Sequence, residues 1–232
     1  SAASDVYKRQ KKSPDEFSVK YIDERILQTP AIALAQLIKE MSYMLEVAQR
    51  ALDKAMDNFI NRTEDEEPVR KDLREINFLS GKVTDYLIRL SEEDMSHNDE
   101  LTVSSLYKVL SDIMRVADFS NNIMRYLRVA VANELYFSSE GLNEIKEMYS
   151  LVDELFKDVD YTFANRTTRL LAKIEDTESK TDKFKLQLQQ NHLDRLKGGN
   201  CKSESSSLYV NLIGNIERVA DHLVYIAQSV KE

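Results

Sequence analysis

Acidic side chains at one-turn spacing are the residues of this chain best placed to do chemistry. Glu217 and Asp221 are four positions apart, Glu178 and Asp182 repeat that spacing, and Glu175 lies three positions before Glu178. Positions i and i+4 share one face of a helix, so each pair presents two carboxylates together. Crowded carboxylates repel each other unless a cation neutralises them, and oxygen ligands suit Mg, Ca, Mn or iron. The spacing predicts a metal site formed by these five residues.

An ordinary solvated helix face is the alternative interpretation of the same spacing. Acid-rich helices produce it by chance, and Lys185 and Arg218 are suited to pair with the acids as surface ion pairs of little energetic weight. Thr177 and Thr181 interrupt the apolar stripe beside the acids and favour the metal interpretation. Both interpretations stay open at the level of sequence.

Motifs of the common enzyme classes are absent from the sequence. Glu-x-x-His, the ligand pair of di-iron helical bundles, does not occur, nor do the P-loop, the dinucleotide-binding glycine pattern or the nucleophile elbow. We therefore expect no enzyme activity and no catalytic residues. A carboxylate-bridged metal enzyme is the least favoured interpretation of the function, because histidine ligands are missing.

Helices must position these acids, since apolar residues recur at spacings of three and four in six stretches. The chain has only three prolines, and none follows Pro68. Predicted loops fall at 61–68, 91–100 and 133–140, and Gly198-Gly199 is suited to end the fifth helix with a left-handed cap. The fold class predicted is all-α, with six helices and no strand, arranged as antiparallel bundles.

An internal repeat divides the six helices into two sets of three. Ile-Met-Arg-Val-Ala-Asp at 113–118 returns as Ile-Glu-Arg-Val-Ala-Asp at 216–221, an offset of 103 residues. This predicts two tandem three-helix bundles, at 21–135 and 136–232. The same offset puts Met114 where Glu217 stands, so we expect any metal on the second bundle only.

Composition limits the partners and the compartment. The net charge of −8 argues against nucleic acid and against broad docking on anionic lipid. One cysteine, Cys201, allows no internal disulfide, and a reducing compartment is expected. No apolar run of membrane-spanning length occurs. Residues 1–10 are typical of a cloning scar, so 1–20 is interpreted as a non-native or linker leader and the chain as a fragment.

Two segments resemble known sequences. Residues 215–227, Asn-Ile-Glu-Arg-Val-Ala-Asp-His-Leu-Val-Tyr-Ile-Ala, resemble the signature helix of PhoU domains, and 191–201 is similar to the loop segment before it. Residues 21–34, Tyr-Ile-Asp-Glu-Arg-Ile-Leu-Gln-Thr-Pro-Ala-Ile-Ala-Leu, are similar to the junction between the membrane part and the cytoplasmic part of bacterial Na/Pi cotransporter family proteins. The resemblance implies two three-helix bundles, phosphate transport control, and metal clusters on Glu/Asp-x-x-x-Asp motifs.

The function expected from this resemblance is regulation of phosphate uptake by a cytoplasmic domain of a sodium-dependent phosphate cotransporter, at the inner face of the plasma membrane. Its partner is the transmembrane part of the same transporter or another phosphate transport or signalling protein, and a homodimer is a further expectation. The expected cofactor is a divalent or trivalent metal ion (Fe, Mn, Mg or Zn). A free-standing PhoU-type negative regulator is the alternative.

Overall fold

Six α-helices and two short 3₁₀ turns build the protein in the computed structural model, which describes residues 16–231. No β-strand occurs within this range, and the prediction of an all-α fold with six helices is confirmed. Of the predicted leader 1–20, residues 1–15 lie outside the described residues. The helices are α1 (Pro30–Asn61), α2 (Glu67–Ser91), α3 (His97–Ala132), α4 (Ser139–Asn165), α5 (Leu171–Lys197) and α6 (Ser203–Gln228), and the turns are Glu24–Ile26 and Ser229–Lys231.

Local sequence sets the helix ends. Pro30 opens α1 at a position that suits proline. Gly199, at φ 72°, follows the end of α5 in the left-handed conformation, as predicted. The loop predicted at 91–100 is shorter than expected, because α3 already begins at His97. The Ser96 hydroxyl accepts the Asp99 backbone N–H at 3.2 Å, and acidic residues after a cap suit the first turn of a helix.

The helices form two antiparallel bundles in tandem. Helices α1, α2 and α3 pack on one another as the first bundle, and α4, α5 and α6 as the second bundle. Two further helix pairs, α3 with α6 and α1 with α4, join the bundles along what we call the seam. Hydrogen bonds join Ser42 to Asp160 and Asp53 to Tyr149, so α1 and α4 run antiparallel there.

One continuous apolar core runs through both bundles and the seam. Its largest fully buried side chains include Leu37, Met41 and Leu79 in the first bundle and Phe156 and Tyr209 in the second. Burial of this apolar surface is the main favourable term that holds the six helices together. None of the helices in residues 16–231 combines the length and apolar composition that crossing a lipid bilayer requires.

Candidate functional site

The structure gathers three of the predicted metal ligands between α5 and α6. One carboxylate oxygen each from Glu178, Asp182 and Asp221 lie within 4.8 Å of one another. Glu178 and Asp182 stand one turn apart on α5, and Asp221 faces them from α6. We call these three residues the acidic cluster.

The polar stretch of α5 beside the acidic cluster is built into the core. Thr177 and Thr181 are both buried, and their hydroxyls donate to the carbonyl oxygens of Lys173 and Thr177, at 3.0 and 2.9 Å. Each threonine hydroxyl is therefore satisfied within its own helix. Because these side chains are short, the packing there carries less apolar bulk than elsewhere in the second bundle.

Electrostatic repulsion is concentrated in the acidic cluster. Partial burial, together with the neighbouring Asp182 charge, raises the pKa of Glu178 to about 7. Burial and the charge of Glu217 raise the pKa of Asp221 as well. Asp182 Oδ1 is buried and accepts no hydrogen bond from any residue in 16–231. These carboxylates are therefore short of positive charge in the folded protein.

The other two predicted ligands lie apart from the acidic cluster. Glu217 Oε2 accepts a charged hydrogen bond from Lys185 Nζ at 2.9 Å, with both side chains partly buried. Glu175 is exposed and lies 3.4 Å from Lys231 Nζ. The alternative interpretation, in which the acids form ion pairs with lysines, therefore holds for Glu217 and Glu175. The three residues of the acidic cluster have no ion-pair partner within residues 16–231.

The residues of the acidic cluster fit a bound cation. Three carboxylates offer the oxygen ligands that hard cations prefer, and the unpartnered Asp182 oxygen leaves one acceptor free for a metal bond. A bound cation would relieve the repulsion that raises the pKa of Glu178. If each of the three carboxylates supplied one oxygen to a six- to eight-coordinate ion, about three to five coordination positions would remain for Glu217 or water. A carboxylate that binds through both oxygens would reduce that number.

The corresponding surface of the first bundle is neutralised by the chain itself. Glu75, which matches Glu178 in the repeat, accepts hydrogen bonds from Tyr43 at 2.8 Å and Arg50 at 3.1 Å. Leu79 and Met114 replace two acids, and Asp118 is exposed. Within residues 16–231 the acidic cluster is the single group of three or more acidic, histidine or cysteine ligands this close together.

Two polar contacts near the second bundle involve histidines. His222, next to Asp221, places Nδ1 2.9 Å from Asp112 Oδ1 of α3, across the seam. His192 Nδ1 of α5 lies 4.0 Å from the sulfur of Cys201, which stands in the loop after α5. The first pair joins two helices and has no signal in local spacing, whereas the second spans only the end of α5 and this loop.

Comparison with known proteins agrees with this architecture. The model of the PhoU domain matches residues 41–127 and 145–230. The chain is 24% identical over 225 residues to the "Putative inorganic phosphate export protein YjbB" of Escherichia coli K12, covering 92% of this chain and 40% of that protein. It is 22% identical over 222 residues to the protein of the same name in Salmonella typhimurium, with the same coverage.

A shorter relative matches over most of its length. The "Phosphate-specific transport system accessory protein PhoU homolog 1" of Thermotoga maritima is 24% identical over 205 residues, which is 85% of each chain. The present chain thus spans 40% of the length of the export proteins but most of the Thermotoga protein. Because the PhoU domain model covers most of the chain in two successive copies, one in each bundle, this protein belongs to the PhoU family.

Proposed function

We propose that this chain is a non-enzymatic regulatory domain that controls phosphate transport. The observation that carries the proposal is the alignment of 92% of the chain with proteins named for inorganic phosphate export, through two PhoU domains. The Thermotoga relative, named as an accessory protein of a phosphate-specific transport system, supports the same role. The partner is a phosphate transport or signalling protein.

The finer proposal is a cytoplasmic domain fused to a sodium-dependent phosphate cotransporter, at the inner face of the membrane. The similarity of residues 21–34 to the junction of such transporters supports it. Coverage of 85% of the Thermotoga relative favours the alternative, a free-standing PhoU-type regulator. The reading frame of the intact gene separates the two. A cotransporter gene encodes several apolar segments of about 20 residues before this domain, whereas a free-standing regulator encodes none.

A transport assay tests the regulatory role itself. In cells that carry the intact gene, we expect Asp182→Asn with Asp221→Asn to change net uptake or release of labelled phosphate, at equal protein level. The matched control is Asp176→Asn, which removes an exposed carboxylate on α5 two positions before Glu178. Phosphate flux equal to the parent's in the double variant and in a deletion of residues 16–231 contradicts the role.

We further propose that Glu178, Asp182 and Asp221 hold a divalent or trivalent metal ion such as Mn²⁺ or Fe²⁺, with Glu217 and Glu175 as further ligands once their lysine partners are displaced. The close approach of three carboxylates and the free Asp182 oxygen support this. Metal bound to the folded form alone raises its stability by mass action.

Thermal unfolding with and without Mn²⁺ tests the metal site on the chain itself. At a metal concentration 100 times the Kd, stabilisation reaches about 2.7 kcal/mol. We expect a clear rise in Tm for the parent and for Asp176→Asn, and none for Asp182→Asn/Asp221→Asn. A rise of the same size in the double variant shows that the ion binds elsewhere.

A further inference from the structure

A buried carboxylate with no ion-pair partner anchors the segment that enters the first bundle. Glu40 of α1 is fully buried beside Leu37 and Met41 of the apolar core. Within residues 16–231 no lysine, arginine or histidine forms an ion pair with it. An isolated buried charge is strongly unfavourable, so its hydrogen-bond partners determine whether this arrangement is stable.

Three consecutive backbone N–H groups supply those partners. The N–H of Lys20 donates to Oε1 of Glu40 at 2.9 Å and lies 3.2 Å from Oε2, while Tyr21 and Ile22 donate to Oε1 at 3.0 and 3.3 Å. Successive N–H groups pointing into one concavity form an anion-binding nest. Here the anion is a side chain of the same protein, 18 to 20 positions further along the chain.

The segment around this nest is fastened to α2 at both ends. The rings of Phe17 and Phe78 lie 6.2 Å apart, and the buried Tyr86 donates its hydroxyl to the Asp23 carbonyl at 3.0 Å. Glu24 and Arg89 form an ion pair at 2.6 Å. From Phe78 to Arg89, α2 advances about 16 Å, so the contacts follow a long stretch of the helix and not a single point.

A cation and apolar side chains close the contact with α1. The Lys20 ammonium lies 3.9 Å from the centre of the Tyr43 ring, a cation–π distance. Val19 and Ile22 pack on the core, and Leu27 is buried within it. If the segment left, Glu40 would lose all three N–H partners while still among apolar residues, which opposes release.

We infer that residues 16–27, the N-terminal strap, form a rigid unit with the first bundle, clamped there by Glu40, so that a displacement applied at residue 16 is carried to α1 and α2. The strap itself does not absorb such a displacement as a flexible linker would. Only the statement that a transporter supplies the displacement rests on the proposed function.

Hydrogen exchange of single amides tests the clamp. We expect the amides of Lys20, Tyr21 and Ile22 to exchange at least about 100-fold more slowly than in an unstructured peptide, because each N–H donates to the buried Glu40 carboxylate. Glu40→Met, which removes the acceptor but fills a similar volume, should return these amides to within about tenfold of the unstructured rate while α3 amides keep their protection. Glu46→Gln, an exposed acid on α1, is the matched control.

A second measurement reports the rigidity of the link. A fluorophore on Ser18→Cys, in a Cys201→Ser background, should show the slow tumbling of the whole protein with Glu40 present and added nanosecond motion in Glu40→Gln and Glu40→Met. Fast exchange at residues 20–22 in the parent, or full protection and unchanged tumbling in Glu40→Met, overturns the strap. A phosphate flux result that contradicts the proposed function leaves both readouts unaffected, so the two failures are distinguishable.

Discussion

Lys185 determines how many carboxylates of the second bundle are free. Its ammonium holds Glu217 at 2.9 Å, one turn from Asp221, so a ligand that the sequence predicts is neutralised by the chain in the folded protein. A metal that recruits Glu217 must displace this ammonium and overcome the repulsion between two positive charges. Lys185 therefore opposes the metal binding proposed for the acidic cluster.

Removal of that ammonium should strengthen metal binding. We expect Lys185→Met to lower the Kd for Mn²⁺ about tenfold or more, because one positive charge near the site disappears and Glu217 becomes available. Mn²⁺ titrations followed by Tm measure the change. Lys183→Met, an exposed lysine two positions away on α5, should leave the Kd within about twofold. Equal affinity in parent and Lys185→Met contradicts the competition.

Asp153 of α4 is a titratable residue at the seam. It is exposed at the surface, and partial desolvation against α1, followed by the neighbouring Asp53 charge, raises its pKa to about 6 from an ordinary value of 3.8. Asp57 of α1 adds a further negative charge. The hydroxyl of Tyr149 does not relieve Asp153, because it donates to Asp53 at 2.5 Å.

The stability of the protein should respond to pH through Asp153. Between pH 4 and 6 the folded form binds more protons at this residue than the unfolded chain does, so its contribution to stability is largest at the acid end and falls as pH rises. We expect Asp153→Asn to raise Tm at pH 7.5 and to lose this advantage near pH 4. Glu147→Gln, an exposed acid on α4, should follow the parent at both pH values.

At the scale of elements, two serine caps fix where α3 and α4 begin. Ser96 accepts the Asp99 N–H, and Ser138 accepts the Gly141 N–H at 3.0 Å. Each cap satisfies one of the backbone donors that a helix start leaves free.

Loss of either cap should cost about 1 kcal/mol of unfolding free energy. Urea denaturation of Ser96→Ala and Ser138→Ala measures this cost. Ser150→Ala, at an exposed position inside α4, is the control and should change the free energy by about 0.5 kcal/mol or less. A control that loses as much as the cap variants would contradict the assignment of these serines as caps.

At the scale of the whole molecule, a polar network crosses the seam between the two bundles. Asn215 of α6 is buried, donates to the Tyr126 hydroxyl at 2.9 Å and accepts from Asn122 at 2.9 Å. This polar network crosses from the second bundle to the first within a shared apolar core. The bundles should therefore unfold together in a single transition.

Asn215→Ala tests this coupling. It leaves the amide of Asn122 and the hydroxyl of Tyr126 without their seam partner, and we expect a loss of about 2 kcal/mol in unfolding free energy. Urea denaturation should show one transition with helical signal from both bundles lost together. Asn211→Ala, an exposed position one turn away on α6, should be nearly neutral. Two separate transitions in the parent would contradict a shared folding unit.

Local sequence signals predicted the helices and their repetition. Periodic apolar residues, scarce prolines and the repeat at 113–118 and 216–221 predicted six helices in two bundles, and Gly199 marked the end of α5. Apolar periodicity and helix caps depend on residues within one segment, and the repeat is found by comparing two segments, so none of these signals requires the packed structure. The loops predicted at 61–68, 91–100 and 133–140 are all shorter in the structure, because the next helices begin at Glu67, His97 and Ser139; the Ser96 and Ser138 caps give the last two a local cause.

Packing of α5 against α6 sets which acids meet. The spacing of Glu217 and Asp221 is the same as that of Glu178 and Asp182, yet Glu217 is neutralised by Lys185 and the other three approach one another. The rotation and register of α5 against α6 determine this difference, and no local pattern encodes either. The clamp on Glu40 and the contact of His222 with Asp112 likewise join residues 18 to 110 positions apart, so they depend on how the whole chain packs.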